Sequence, residues 1–566
     1  MKKISFIFLP LLMLLFVGCD DFLDVNKNPD KGVSVTPEQE LPVITFYASQ
    51  LNYDHAEYGN YLSQALTTAG RSQTGTYAYK SGWEFLSMNR HPQWRRHYYD
   101  LGVNINEMMK LAEKEKSYNF ILIGRTIRLM STLFTTDAFG DMPLSEAYTS
   151  VAPKYDTQEQ VYAWMIQEAD DLLALYDNPE WTQAITNKPI TKTMDRIYSG
   201  DLLKWKLFTS GLKARILLRK LPNMDNTPAS CQAIIDAVDG ALTADWKEPD
   251  YHYDGGSGEK SCPWGAAQPA INAWESRKNE MDKSIPSKFF VVDMMGLYST
   301  SQGAKAGDAE DPRLMRFMAK RAGPTTGSDT GTKYRYLENN IGMGVSYKES
   351  NYPDLYASTN VYTQNTGYVS LMLTEELLLM KAEALYWKGQ KQEAMDVMKA
   401  AVDTSMVRHS ASENMVSMYE GTYIAANAGA TEKRYQALSV TNGAKYFPTI
   451  DKFTIGHIMR QKYVSMYLQP EQWNDMRRYN YSNSTNGKTY EGTVIYPGLK
   501  RPYNLYEPYW RTAQAIAEEQ WIQRLNYDPE TEEKYNKAEL ERLGAFRNAD
   551  WLKKPMIWAV YNQAKR

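Results

Sequence analysis

The chain has 566 residues, with 64 Lys and Arg against 67 Asp and Glu and a formal net charge of −3. That length holds one large or two ordinary domains, and the near-neutral balance supplies no basic field to gather phosphate backbones, which argues against nucleic acid as a partner. Aromatic residues reach 13%, with 41 Tyr and 14 Trp, amphipathic rings that suit recognition surfaces as well as cores.

Lys2 and Lys3 precede an almost wholly apolar run from Ile4 to Val17, broken only by Ser5 and Pro10. This is the anatomy of a signal peptide over residues 1–18. The run is too short to span a bilayer as a helix, and none comparable follows. It ends at Phe16-Val17-Gly18-Cys19, which resembles a bacterial lipobox, with Phe16 where Leu is usual. Acylation of Cys19 is therefore expected, and several acyl chains on one residue anchor stably where one does not. Asp20-Asp21 resembles the surface-export signal of Bacteroidota-type lipoproteins, so an outer-membrane location facing the exterior is expected. Residues 19–42, punctuated by Pro29, Gly32 and Pro37, read as a tether, and residues 43–566 as one folded domain.

Helical periods dominate the body. Trp94, Tyr98, Leu101, Ile105 and Met108 form a packing stripe. His91 and His97, on either side of that stripe's start, read as surface residues. Val161, Trp164, Met165, Ala169, Leu172, Leu173 and Tyr176 line a second helix that stops near Asn178-Pro179. Trp205, Phe208, Leu212 and Ile216 line a third, with Arg215 and Arg219 beside them. Cys231 and Cys262 permit a disulfide without requiring one; the alternative is two small buried side chains. Thr374 reads as an N-cap with Glu375 and Glu376 in the first turn. Leu377, Met380 and Ala384, a stop at Gly389, then Ala394, Val397, Met398 and Ala401 spell a tetratricopeptide-like hairpin. Long irregular stretches lie at Gly70–Asn89, Asp250–Pro286, Gly323–Gly367 and Asn480–Pro508, the kind of segment that carries function. The expected fold is all-α, helical hairpins with a large loop-rich half facing the ligand.

The six His residues form no helical metal-ligand pair, and the sequence has no nucleophile elbow, phosphate loop or dinucleotide fingerprint. No metal, no cofactor and no catalysis are expected. Asp170-Asp171 and Glu375-Glu376 contain the carboxylates a glycosidase needs, but solvated faces and helix starts explain them.

Several blocks, in order, resemble the SusD/RagB family of nutrient-binding lipoproteins. Thr136-Asp137-Ala138-Phe139-Gly140-Asp141-Met142-Pro143-Leu144-Ser145-Glu146-Ala147 is similar to the family's Asp-x-Tyr-Gly-Asp-x-Pro-Tyr-x-Glu-Ala block. Pro153 to Glu159, Asp195 to Asp201 with Lys204, Trp205, Leu212 and Arg215, Asp311-Pro312-Arg313, the helix from Glu375 to Ala384, and Gln461-Lys462-Tyr463 leading to Glu471–Arg478 follow. The chain departs from the family pattern at Leu525–Glu530. In the first block Gly140 permits a turn, Asp141 can accept from backbone amides and Pro143 stops the preceding helix. The resemblance implies a helical receptor that works over a SusC-like TonB-dependent transporter.

A sugar ring offers C–H faces to an aromatic plane and hydroxyls to polar groups. Two loop clusters carry both: Arg71, Tyr77, Tyr79, Trp83 and Asn89, where the resemblance implies an aromatic platform, and Tyr251, Tyr253, Trp264, Asn272 and Trp274. The alternative for each ring is burial under its own loop. On the first reading, Trp83→Ala or Trp264→Ala weakens ligand binding without unfolding the protein. An oligosaccharide is the expected cargo; a peptide cargo and a purely structural or adhesive surface lipoprotein are the competing readings.

Overall fold

A computed structural model describes residues 35–68, 82–88, 90–256, 258–266, 284–296, 311, 313–319, 321–322, 332–333, 353–409, 447–502, 505–506, 509–510 and 520–562. The first helix, α1 (Pro37–Leu62), starts earlier than a tether ending at residue 42 would allow. Its start is set locally. The Thr36 N–H donates to Gln39 Oε1 at 3.0 Å, and Pro37 sits at the first position, where a missing N–H costs nothing. Leu41 is already fully buried. From Ala48 to Leu62 nearly every side chain of α1 is buried, so this helix runs through the core instead of lying on it.

Along the chain follow α2 (Asn104–Glu115), α3 (Tyr118–Phe139), α4 (Gln158–Tyr176), α5 (Leu202–Leu218), α6 (Pro228–Ala241), α7 (Thr374–Trp387) and α8 (Lys391–Arg408). Each packs on the next, which is the stacked-hairpin arrangement of a tetratricopeptide-like scaffold. Helices α9 (Ile455–Ser465) and α10 (Glu471–Arg478) then return to pack on α7 and α1 respectively. Helix ends are set by local hydrogen bonds. Thr157 and Gln160 cap α4 reciprocally, at 2.8 and 3.3 Å. Gly140 ends α3 at φ +93°, and Asp141 Oδ1 accepts from the Gln158 N–H at 3.0 Å. Between α7 and α8, Gly389 adopts φ +90°, which a side chain would resist. Leu377, Met380, Ala384, Ala394, Met398 and Ala401 are all fully buried in this hairpin.

Strands are brief. β1 (Leu66–Thr68), β2 (Asp250–His252), β3 (Ser284–Pro286) and β4 (Tyr368–Ser370) form two antiparallel pairs. Leu66 lies opposite Pro286 and Tyr251 opposite Val369. One continuous apolar core runs from Leu41 to Ala559.

Charge is buried within that core. Arg219 meets Asp137 and Glu471, both at 2.8 Å, and Arg215 meets Glu376 at 2.7 Å. Arg478 takes Glu383 bidentately at 2.8 and 2.9 Å and Asp475 at 2.6 Å. Lys462 completes the group at 3.3 Å from Glu383 and 3.1 Å from Asp475. Arg313 pairs with Asp311 at 2.7 Å and reaches Gln461, Ser405 and Ser465. The family-like blocks thus carry the partners of an internal ion-pair lattice.

Three expectations are corrected here. Glu375 and Glu376 are buried instead of solvated, because Arg408 and Arg215 neutralise them, and Thr374 is the first helical residue behind Leu373 instead of the cap. His91 and His97 are buried, not superficial. The stretch Arg96–Val103 is π-helical, so an α-helical spacing misplaces His97, whose Nδ1 lies 2.9 Å from Ser131 Oγ. Cys231 and Cys262 are both free and buried, so the alternative without a disulfide holds.

Candidate ligand-binding site

Of the first loop cluster, Arg71, Tyr77, Tyr79 and Asn89 lie outside the described residues. Trp83 is 1% exposed, so the open ring expected of it is not found. Its ring lies 5.1 Å from that of Trp510 and 6.1 Å from that of Trp521, and its carbonyl accepts from Trp510 Nε1 at 3.0 Å. Tyr481 stacks on Trp521 at 4.4 Å, and the Arg501 guanidinium sits 5.9 Å from both Trp83 and Trp510. Removing such a ring leaves a cavity. Trp83→Ala is therefore expected to cost about 3–5 kcal/mol of stability, read as a lower denaturation midpoint; an unchanged midpoint with reduced ligand affinity would restore the platform role.

Half-buried Tyr506 and Tyr509 stand edge to face at 4.7 Å beside this nest, and the Tyr506 N–H donates to Gly82 O at 2.9 Å. The sequence reading passed over them. Their signal was the crowding of Tyr503, Tyr506, Tyr509 and Trp510 into one short stretch.

In the second cluster Asn272 and Trp274 lie outside the described residues, and Tyr251, Tyr253 and Trp264 are buried. Each ring has a packing role. Tyr253 Oη lies 2.7 Å from both Ser49 Oγ and Gln50 Nε2, the Trp264 ring lies 4.5 Å from Tyr53, and Tyr251 lies 6.1 Å from Phe46. Tyr251 and Tyr253 hold the β2 end, and Trp264 the turn after it, against α1. For Tyr251 exposure fails because residues alternate across a strand and this one points inward; Trp264 is covered instead by Tyr53 of α1.

That alternation sends Asp250 and His252 the other way, into a groove of about 630 Å³ that Tyr198, Lys204, Trp246, Lys247, Glu248, Thr374 and Arg408 also line. Arg408 holds Glu375 bidentately at 2.7 and 2.8 Å and also bonds Glu248. Glu248 Oε1 accepts from the Thr374 N–H at 2.7 Å, and Trp246 Nε1 donates to Thr374 Oγ1 at 3.0 Å, which fixes the indole. Asp250 Oδ1 is sealed from solvent without a hydrogen-bond partner among the described residues. Burial, then the charge of Glu248, pushes the Asp250 carboxyl up to about 7. An aromatic wall, two lysines and a carboxyl that can donate or accept give a groove of ordinary ligand-site size the means to hold a hydroxyl-rich molecule.

A family model described as starch-binding and associating with the outer membrane, SusD-like, matches residues 36–497. No curated protein matches. Among solved structures, a SusD/RagB family protein from Bacteroides thetaiotaomicron has a TM-score of 0.65 at 19% identity, covering 94% of this chain and 100% of its own. A chitin-binding protein has a TM-score of 0.62 at 17% identity, covering 93% of this chain and 100% of its own. A SusD homologue from Bacteroides fragilis has a TM-score of 0.60 at 15% identity, with the same coverages of 93% and 100%. These likenesses show the fold. No helix among the described residues is long and apolar enough to cross a membrane. With the family model spanning most of its length, the chain belongs to the SusD-like family of outer-membrane-associated nutrient-binding proteins.

Proposed function

We propose that the protein is a surface lipoprotein, anchored through Cys19, that captures a glycan oligomer outside the cell and delivers it to a SusC-like TonB-dependent transporter. The observation that carries this reading is the 630 Å³ groove with its fixed indole, basic side chains and proton-adjustable Asp250, in a chain whose family model is described as starch-binding. The chitin-binding neighbour in fold agrees with a glycan cargo. Tyr77, Tyr79, Arg71, Asn89, Asn272 and Trp274 are proposed as further ligand contacts from the loops. Trp83, Trp264, Tyr251 and Tyr253 serve as their structural footing. No covalent step is required of any residue.

A glycan and peptide array on the soluble fragment beginning after Cys19 tests the cargo, followed by calorimetry on Trp246→Ala. Glycan binding that weakens about tenfold in the variant, the scale of roughly 1.4 kcal/mol, is the expected result. Binding of peptides alone would replace the cargo, and binding of neither would favour a structural lipoprotein. Co-purification of the intact protein with a large outer-membrane barrel tests the transporter separately.

A further inference from the structure

A second cleft, of about 470 Å³, opens between α2, α3, α4 and the loop Pro143–Tyr148. Arg128 on α3 faces it. This guanidinium bonds Asn106 Oδ1 and has no carboxylate within ion-pair distance among the described residues. Its neighbour on the helix differs sharply: Arg125 is held bidentately by Glu168, both bonds at 2.8 Å. Partial burial pushes the Arg128 guanidinium below its usual range, outweighing the opposite pull of Tyr148 and the more distant Glu168. After burial, the Arg128 charge also helps hold the neighbouring His97 imidazole down at about 3. Thr132, one turn further along the same face, is fully buried and its hydroxyl lacks a partner among the described residues.

Two aromatic rings line the same space. Trp164 on α4 is half-buried, and Tyr148 is 46% exposed with φ +66°, a conformation that is costly for a residue with a side chain. The Tyr148 hydroxyl presses against Gly102, where a Cβ would sit only 1.6 Å from it. Glycine at 102 is what lets this ring close one side of the cleft. The carboxylate that lines the cleft, Asp156, is already occupied: it accepts from the Leu144 and Ser145 N–H groups at 2.9 and 2.8 Å and from Ser145 Oγ at 2.8 and 3.0 Å.

We propose that this cleft is a second ligand site, distinct from the 630 Å³ groove, that takes an acidic sugar: the carboxylate of a uronate on Arg128 and the Thr132 hydroxyl, and the ring's C–H face on Trp164. An unpaired cation inside a cleft gains most from a carboxylate, which accepts from the guanidinium bidentately. The aromatic walls select a ring over a bare ion, and Gln160 at the rim adds an amide for a hydroxyl.

Calorimetry on the full mature protein, titrated with glucuronate, glucose and sodium sulfate in parallel, tests the assignment. Glucuronate is expected to bind at least tenfold more tightly than glucose or sulfate, to lose ten- to hundredfold in Arg128→Gln, and to lose several-fold in Trp164→Ala. Arg128→Lys, which keeps the charge without the fork, is expected to fall between wild type and Arg128→Gln, and it carries the test if Arg128→Gln does not fold. Equal affinity for glucose and glucuronate overturns the proposal. So does a glucuronate affinity unchanged by either Arg128 substitution, or sulfate binding as tightly as glucuronate, which would mark a simple anion hole. Trp246→Ala in the other groove is expected to leave glucuronate binding unchanged, so a failed glycan array and a failed uronate site give different patterns.

Discussion

Glu383→Ala is expected to destabilise the protein by about 3–5 kcal/mol, the range for removing one partner of a buried ion pair. Glu383 accepts from Arg478, Lys462 and the Tyr479 hydroxyl, the last at 2.7 Å, and none of these charged side chains is exposed. Burial alone raises the Glu383 carboxyl, but Arg478 and Lys462 outweigh it and hold the group at about 2. Without Glu383, two buried cations share Asp475. Chemical denaturation measures the loss, with Asp550→Ala, which removes the exposed partner of Lys553, as a control expected to shift stability little. A loss below about 1 kcal/mol would show that the lattice relaxes around the vacancy.

Acidification is expected to weaken the fold well above the pH at which carboxylates titrate. His55 and His97 are held at about 3, and His91 and His457 at about 4, each chiefly by burial; His409 lies well below the usual range for the same reason. All five stay neutral in the folded protein, whereas in the unfolded chain they take up protons below pH 6.5. The unfolded state therefore binds more protons as pH falls from 6.5 toward the folded values, and stability drops with it. Asp250 acts in the opposite sense: its raised folded value means the folded state gains a proton on passing below about 7, which offsets part of the loss. The net expectation is a loss of roughly 4 kcal/mol between pH 7 and 5.5. Glu383 adds its own loss only between 4.5 and about 2, because its folded value is depressed. Denaturant titrations at pH 7, 6 and 5.5 decide the matter. Equal stability at the three would mean that these imidazoles are protonated inside the fold.

Local order was readable wherever it depends on neighbours in the chain. The stripe from Val161 to Tyr176, the turn at Gly140 and the α7–α8 hairpin with its stop at Gly389 each follow from residues a few positions apart. The order of family-like blocks pointed to the fold for the same reason, since each block is a local signature. His97 was misplaced because a π-helical stretch breaks the period on which the reading rested, and His91 because its partners, Asp528 and Asn526, lie more than four hundred residues away.

Loop aromatics were harder. A Trp in a Gly-rich segment has the same composition whether it faces ligand or another ring, and Trp83 is decided by Trp510 and Trp521, more than four hundred residues away. Tyr251 is decided by the pairing of β2 with β4 and by α1 beneath them.

Sequence alone determined the helical hairpin at Gly389 and the family, because short-range periodicity and residue chemistry suffice for each. Tertiary structure alone decided which charges are paired. Arg219 finds Asp137 and Glu471, while Arg128, on the same helix as Asp137, finds no carboxylate within ion-pair distance among the described residues. Both look alike in the chain; burial makes the first a strut and leaves the second a cation facing a cleft, since desolvation acts on where a group lies in space.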